Sequence, residues 1–154
     1  PFFGLVFFYR NAFSNKLQIR NIPFFKILII SFCWSWTCCA VPQLVSNSIF
    51  NWNITFITFI YVFAITIPFD IRDMYLDKKI YTIPQITGIR VAFVISQLSI
   101  LCLFFFALYL SNYLLCFFMI MTNLILIPSL KINSEFYYLF VLDGLLVIFP
   151  IFIS

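Results

Sequence analysis

Residues 89–110 read IRVAFVISQLSILCLFFFALYL, a stretch of the chain in which Arg90 is the single charged residue. A helix that crosses a membrane needs about 17–25 mainly apolar residues, because each residue advances it by about 1.5 Å and the hydrocarbon core is about 30 Å thick. This stretch therefore predicts a transmembrane helix.

The rest of the 154-residue chain repeats the pattern. Hydrophobic residues make up 64% of it and charged residues 9%, against about 45–50% and about 25% in ordinary soluble domains. We therefore predict an all-α, polytopic transmembrane helix bundle, a single domain over residues 1–154 that lies in the lipid bilayer and has no nucleic-acid partner. The predicted complete spans are about 24–41, 54–69, 89–110, 114–130 and 137–153, with a break at Pro42 after the first of them, and residues 2–8 are the remnant of another.

Basic residues occupy alternate loops of this predicted bundle. Successive loops of a polytopic protein lie on opposite faces of the membrane, so all the basic loops share one face, which the positive-inside rule identifies as cytoplasmic. We expect the segment 70–88 to be a cytoplasmic loop. The basic residues near the span ends are Arg10, Lys16, Arg20 and Lys26, then Arg72, Lys78, Lys79 and Arg90, then Lys131, which lies near Glu135, whereas residues 42–53 and 111–113 carry no charge.

Besides Arg90 at the start of its span, two charged residues lie inside predicted spans. Lys26 is close to a helix end, where its long side chain is expected to extend to the aqueous interface. Asp143 lies within the last span, where a carboxylate costs about 2.5–3.5 kcal/mol at the membrane centre and by default suggests a function. Hydration at the membrane edge, or pairing with Lys131 or Arg90, is the alternative.

The five cysteines all lie in apolar stretches, and the chain has no histidine. Zinc sites use cysteine and histidine ligands at regular spacing, which is absent here. We interpret the cysteines as small apolar side chains.

Three of the five acidic residues of the chain, Asp70, Asp73 and Asp77, lie close together. On a helix, spacings of three and four place them on one face, with Arg72 pointing elsewhere. Mg²⁺ would relieve their repulsion, since it binds one or two protein carboxylates together with phosphate oxygens.

The neighbouring basic residues Arg72, Lys78 and Lys79 suit phosphate oxygens. Acidic and basic residues together at a membrane surface predict a site for a lipid diphosphate. The alternative is a solvated loop whose charges pair with one another, at about 0–1 kcal/mol per pair.

Residues 70–84 read DIRDMYLDKKIYTIP, and Gly88 follows six residues after Thr82. This stretch resembles the second aspartate-rich motif of the UbiA family of intramembrane prenyltransferases, in particular the branch that makes menaquinone precursors. The motif of that family runs N-x-x-R-D-x-x-x-D, a Gly-Lys element, Thr-Leu-Ala or Thr-Leu-Pro, and a Gly six residues after the Thr. Here Phe69 and Asp70 replace the asparagines ahead of the Arg, and the segment between Asp77 and Thr82 is two residues shorter.

The resemblance implies the C-terminal portion of a nine-helix UbiA-like fold and a function in quinone biosynthesis. The reaction would transfer a polyprenyl group from its diphosphate to an aromatic or quinone-precursor acceptor, both lipophilic partners lying in the membrane. By the resemblance, Asp73 and Asp77 are catalytic, Asp70, Asp73 and Asp77 hold Mg²⁺, and Arg72, Lys78 and Lys79 bind the diphosphate.

The first aspartate motif of the UbiA family is not in this sequence. We expect it in an N-terminal half of the same natural chain, in the inner membrane of a bacterium, and we expect the 154 residues alone to be inactive.

Other classes of protein stay open. In a non-enzymatic polytopic membrane protein, such as a transporter-like protein or an assembly factor, the charged loop would serve only to set the topology. A degenerate UbiA relative would keep the motif without turnover. A phospholipid head-group transferase is the least favoured, because its D-G-x-x-A-R opening is not found.

Overall fold

A computed structural model describes residues 23–46, 49–74, 82–131 and 134–153, and within these ranges the chain is helical with no strand. Four of the described helices are long and apolar enough to cross a membrane, which confirms an all-α helical membrane bundle. The predicted remnant at 2–8 lies outside the described residues. The helices are α1 (Phe24–Val45), α2 (Trp52–Asp73), the short α3 (Ile83–Thr87), α4 (Ile89–Tyr109), α5 (Tyr113–Leu130) and the shorter apolar α6 (Tyr137–Ile153).

The long helices run up and down, and each of α1, α2, α4 and α5 packs against the next long helix along the chain. Helices α2 and α4 approach closely because small residues meet there: Ala64 and Ser96 are both fully buried, and the Ser96 hydroxyl donates to the Ala64 carbonyl at 2.7 Å. Larger rings close the contact with α6, where Tyr61 stacks on Phe149 with centroids 4.0 Å apart. Aromatic rings and a few small residues thus fill the interfaces of a chain with only three glycines.

Helix α1 continues past Pro42, where the sequence predicted a break. Its regular α-helical part ends at Ser35 and is followed by a π-helical turn, Trp36–Ala40, and by an α-helical end, Val41–Val45. Proline has no N–H to donate to the preceding turn. The wider π-helical turn just before it accommodates that loss, since Val41 N–H donates to the Trp36 carbonyl five residues earlier.

Helix α2 is longer than the predicted span 54–69. Asn51 begins it, its side chain accepting from the backbone N–H groups of Asn53 and Ile54, as helix-capping asparagines do. The helix continues to Asp73. The segment predicted as a loop over 70–88 therefore contains the last turn of α2 and, further on, the short helix α3.

The two ends of the bundle differ in charge. Lys26 at the start of α1 pairs with Asp70 at the end of α2, and Arg72 lies over the ring of Tyr138 at the start of α6, so these helix ends share one side. We call this side the charged end. At the opposite end, Asn112 contacts the Phe152 carbonyl. Of the eight charged residues described, Asp143 alone lies away from the helix termini of the charged end, where the other seven are Lys26, Asp70, Arg72, Asp73, Arg90, Lys131 and Glu135.

Candidate functional site

Asp70 is enclosed at the start of the last turn of α2. Its side chain is 1% exposed, and its Oδ1 accepts from Lys26 Nζ at 2.8 Å. Its other oxygen, Oδ2, is buried with no hydrogen-bond partner among the described residues. A buried carboxylate is costly unless it is paired, so Lys26 is the group that permits Asp70 to lie inside the bundle.

Arg72 and Asp73 form the second ion pair, one turn closer to the surface. Arg72 Nε and Nη2 both lie 2.9 Å from Asp73 Oδ1, and both side chains are about a quarter to a third exposed. The Arg72 guanidinium carbon lies 4.8 Å from the centroid of the Tyr138 ring and 5.6 Å from that of Phe69. Cation–π contacts of this kind fix the guanidinium in place, and Arg72 is a cation at the C-terminal end of a helix, where its charge complements the dipole.

The described residues include two of the three predicted aspartates. Asp70 and Asp73 lie one helical turn apart, as the spacing predicted, but each of them is paired with its own cation. The prediction that Arg72 points away from the carboxylates is wrong, because its guanidinium bends back onto Asp73. No group of three potential metal ligands occurs in the described ranges. The predicted residues Asp77, Lys78 and Lys79 lie outside them.

The second half of the motif, residues 82–88, forms the short helix α3 and its connection to α4. At its start, the Gln85 side chain accepts from the Thr82 backbone N–H at 3.3 Å. At its end, Gly88 has a φ of +85°, a conformation that residues with a Cβ rarely adopt. Gly88 ends one helix and precedes the next, which gives a physical reason for a glycine at this point of the motif.

An apolar groove of about 380 Å³ lies between α1 and α6, with α2 as its floor. Cys39 Sγ of α1 and Thr58 Oγ1 of α2 lie 3.1 Å apart where these two helices meet in the groove. The groove is lined by Trp34, Cys38, Cys39, Pro42 and Gln43 from α1, by Ile54, Thr58 and Val62 from α2, and by Leu146, Val147, Phe149, Pro150 and Ile153 from α6.

The helix that forms the floor of the groove, α2, continues beyond Val62 to the charged end. Val62 and Phe69 are seven residues apart and Phe69 and Arg72 three apart, and these spacings keep side chains on one face of a helix. Arg72 therefore lies on the face of α2 that forms the floor, beyond the apolar part. The arrangement suits an amphiphile with an apolar body and an anionic head.

Asp143 is exposed in the middle of α6, and no hydrogen bond or ion pair reaches its side chain from the described residues. The pairing with Lys131 or Arg90 that the sequence suggested is absent from this part of the chain. Asp143 directly follows a π-helical turn, Tyr137–Leu142, and is eight residues, or about 12 Å, from Glu135. This distance places it about two helical turns away from the charged end.

Lys26 is the residue that sequence reasoning missed. It was expected to extend to the interface, and instead it turns inward to Asp70. The sequence did contain a signal for this pairing. In an antiparallel pair of helices joined near residue 48, positions 26 and 70 are equally far from the turn and would therefore lie side by side. Lys26 is also the only charged residue within the first predicted span.

Comparison with known proteins identifies no relative of this chain: no protein-family model, no curated protein and no solved structure matches it. The family resemblance therefore rests on the motif residues alone.

Proposed function

We propose that this chain forms the diphosphate-binding end of a Mg²⁺-dependent prenyltransferase of the UbiA type. The reaction would transfer a polyprenyl group from its diphosphate to an aromatic or quinone-precursor acceptor within the membrane. The observation that carries the proposal is the position of the Arg72–Asp73 pair, at the charged end of the bundle and next to the helix face that forms the floor of an apolar groove. The motif order from Asp70 to Gly88 supports it.

The two described aspartates of the motif differ in how well they fit a role in binding Mg²⁺. Asp73 has a partly exposed carboxylate that can serve as a ligand of Mg²⁺. Asp77 would supply a second carboxylate to the same ion. Bound Mg²⁺ would neutralise charge on the departing diphosphate. Asp70 is enclosed and already paired, so we assign it as the counter-ion that orients Lys26.

The basic residues have a role in binding. Arg72 presents a planar guanidinium that can bind phosphate oxygens through two hydrogen bonds, and its contact with Tyr138 holds it in place. Lys26 uses one donor on Asp70, which leaves its other N–H groups for a phosphate oxygen. With Lys78 and Lys79 they would supply positive charge to the diphosphate.

One observation favours a second candidate function. Both described carboxylates of the motif are already neutralised within the chain, as expected of a non-enzymatic membrane protein or a degenerate relative in which the charges only join helices. In that case no metal or diphosphate is needed at the charged end.

Binding of radiolabelled farnesyl diphosphate to the full-length natural protein in proteoliposomes, with and without Mg²⁺, separates the two candidates. We expect Mg²⁺-dependent binding in the wild type and an affinity lower by about tenfold or more in Asp73→Asn, since an interaction with a charged group contributes about 1.5–3 kcal/mol. Glu135→Gln is the matched control, because it removes an exposed carboxylate at the same end of the bundle. Binding that is absent, or that is unchanged by Mg²⁺ and by Asp73→Asn, would favour the non-enzymatic function.

A further inference from the structure

Asp143 is a carboxylate without a described partner on the groove side of α6. It precedes Leu146, Val147 and Pro150 by three, four and seven residues, so it shares their face of the helix, and all three line the groove. The anion therefore lies at the edge of an apolar groove inside the membrane, where a carboxylate needs a hydrogen-bond donor.

The depth of Asp143 follows from contacts on either side of it. Before it, Tyr138 packs edge to face on Phe69, and after it, the Leu145 carbonyl accepts from the Tyr61 hydroxyl at 3.5 Å. Asp143 therefore lies level with the stretch of α2 between Tyr61 and Phe69, in the middle of that helix.

An aromatic side chain lies across the groove at a similar depth. On α1, Lys26 is level with Asp70 and Cys39 is level with Thr58, and Trp34 lies between these two contacts. Trp34 lines the groove and is 47% exposed. A flat aromatic molecule between α1 and α6 would contact this indole ring, with the favourable offset or edge geometry that ring pairs adopt.

Of the two π-helical turns of the described chain, one contributes residues to the groove and the other ends next to Asp143. Trp36–Ala40 contains the wall residues Cys38 and Cys39, and Tyr137–Leu142 ends immediately before Asp143. Such turns within α-helices are frequent at functional sites.

We propose that the groove binds a hydroxyl-bearing aromatic molecule whose O–H donates to the carboxylate of Asp143. A volume of about 380 Å³ suits a small aromatic ring system. An acyl chain could fill the apolar part but has no donor for the carboxylate. The further assignment of this molecule as the acceptor of the prenyl group rests on the proposed function.

The test uses a matched pair of probes, radiolabelled 1-naphthol and naphthalene, which differ by one hydroxyl group. Saturable binding is measured on the full-length natural protein in vesicles of phosphatidylcholine and phosphatidylglycerol, and protein-free vesicles correct for partition into lipid. We expect the wild type to bind 1-naphthol about tenfold more tightly than naphthalene, as a hydrogen bond to a charged acceptor implies.

Variants then assign that preference to one side chain. Asp143→Leu should bind both probes equally, and the near-isosteric Asp143→Asn should keep a reduced preference because its amide oxygen still accepts. Glu135→Gln removes a carboxylate from the aqueous end of the same helix segment and should behave as the wild type.

Equal binding of the two probes by the wild type, or an undiminished preference in both Asp143 variants, would overturn the proposal. Binding of farnesyl diphosphate in the same vesicles tests the prenyltransferase function separately. If that binding is absent while the preference for 1-naphthol depends on Asp143, the prenyltransferase function fails and the aromatic site stands.

Discussion

At the scale of single residues, the contact between Lys26 and Asp70 determines how the charged end is built. The carboxylate is almost fully buried, whereas the lysine side chain keeps 31% of its surface exposed. The lysine therefore remains partly hydrated while it compensates the aspartate. Removing the lysine leaves a buried anion, which is the more costly half of the pair to leave alone.

We predict that Lys26→Met lowers the free energy of unfolding by about 3 kcal/mol, the lower end of the range for breaking a buried pair, because one partner is partly exposed. Unfolding in mixed micelles with increasing denaturing detergent measures the change. Lys131→Met is the control, since it removes an exposed lysine at the same end of the bundle. The double variant Lys26→Met/Asp70→Leu should recover most of the loss, and failure to recover it would show that the lysine stabilises the bundle by some contact other than this pair.

Residue chemistry predicted the charged site only in part. The clustering of Asp70, Arg72 and Asp73 was visible in the sequence, and the structure keeps all three at one helix end. The partners of the two carboxylates were not predicted, because Lys26 lies 44 residues before Asp70, and Arg72 turns to the adjacent Asp73 while its guanidinium packs on Tyr138 of α6. Such pairings depend on how helices pack, and spacing within one segment carries no information about them.

At the scale of helices, the contact between α2 and α4 depends on small side chains. Ala64 and Ser96 are fully buried where the two helices meet, and Ala92, one turn before Ser96, is also fully buried. Close approach of this kind replaces the hydrophobic effect as the source of helix association within a membrane. The volume at position 96 should therefore matter more than its hydroxyl group.

Two substitutions at Ser96 separate these contributions. Ser96→Ala removes the hydrogen bond to the Ala64 carbonyl and should cost about 0.6 kcal/mol, the average for such bonds between membrane helices. Ser96→Leu should cost about 1–3 kcal/mol, because a well-packed contact resists additional volume. Leu98→Ala on the exposed face of α4 is the control and should change little. Equal losses for the two Ser96 variants in the same detergent titration would contradict a volume-limited contact.

The long helices were predicted well because composition and length determine them, whereas their ends and irregular turns were not. Pro42 indicated a break, and the chain instead accommodates it with a π-helical turn. At the end of α2, the polar residues Asp70 to Asp73 indicated a loop, yet they continue the helix because Lys26 neutralises the one carboxylate that becomes buried. In both places, packing against a neighbouring helix outweighs the local preference.

At the scale of the whole molecule, the alternation of charge along the sequence becomes a separation of charge in space. Seven of the eight described charged residues lie at helix termini of one end, and the contacts from Lys26 to Asp70 and from Arg72 to Tyr138 bring those termini together. The sequence predicted this separation because consecutive spans reverse direction. The positive-inside rule predicts that the charged end faces the cytoplasm, and the proposed site would then be open to a soluble metal ion and a diphosphate head group.

Accessibility of single cysteines tests this orientation. In a variant of the full-length natural protein whose native cysteines are replaced, Ile49→Cys and Ser111→Cys should react with a membrane-impermeant maleimide added to intact cells. Lys131→Cys and Glu135→Cys should react only after permeabilisation. All four positions are exposed at helix ends, so a difference in labelling reports the side of the membrane and not burial. Labelling of Lys131→Cys from outside would place the charged end away from the cytoplasm and would contradict the proposed diphosphate site. The proposed binding of an aromatic molecule in the groove beside Asp143 would be unaffected, because it does not depend on which end of the bundle faces inward.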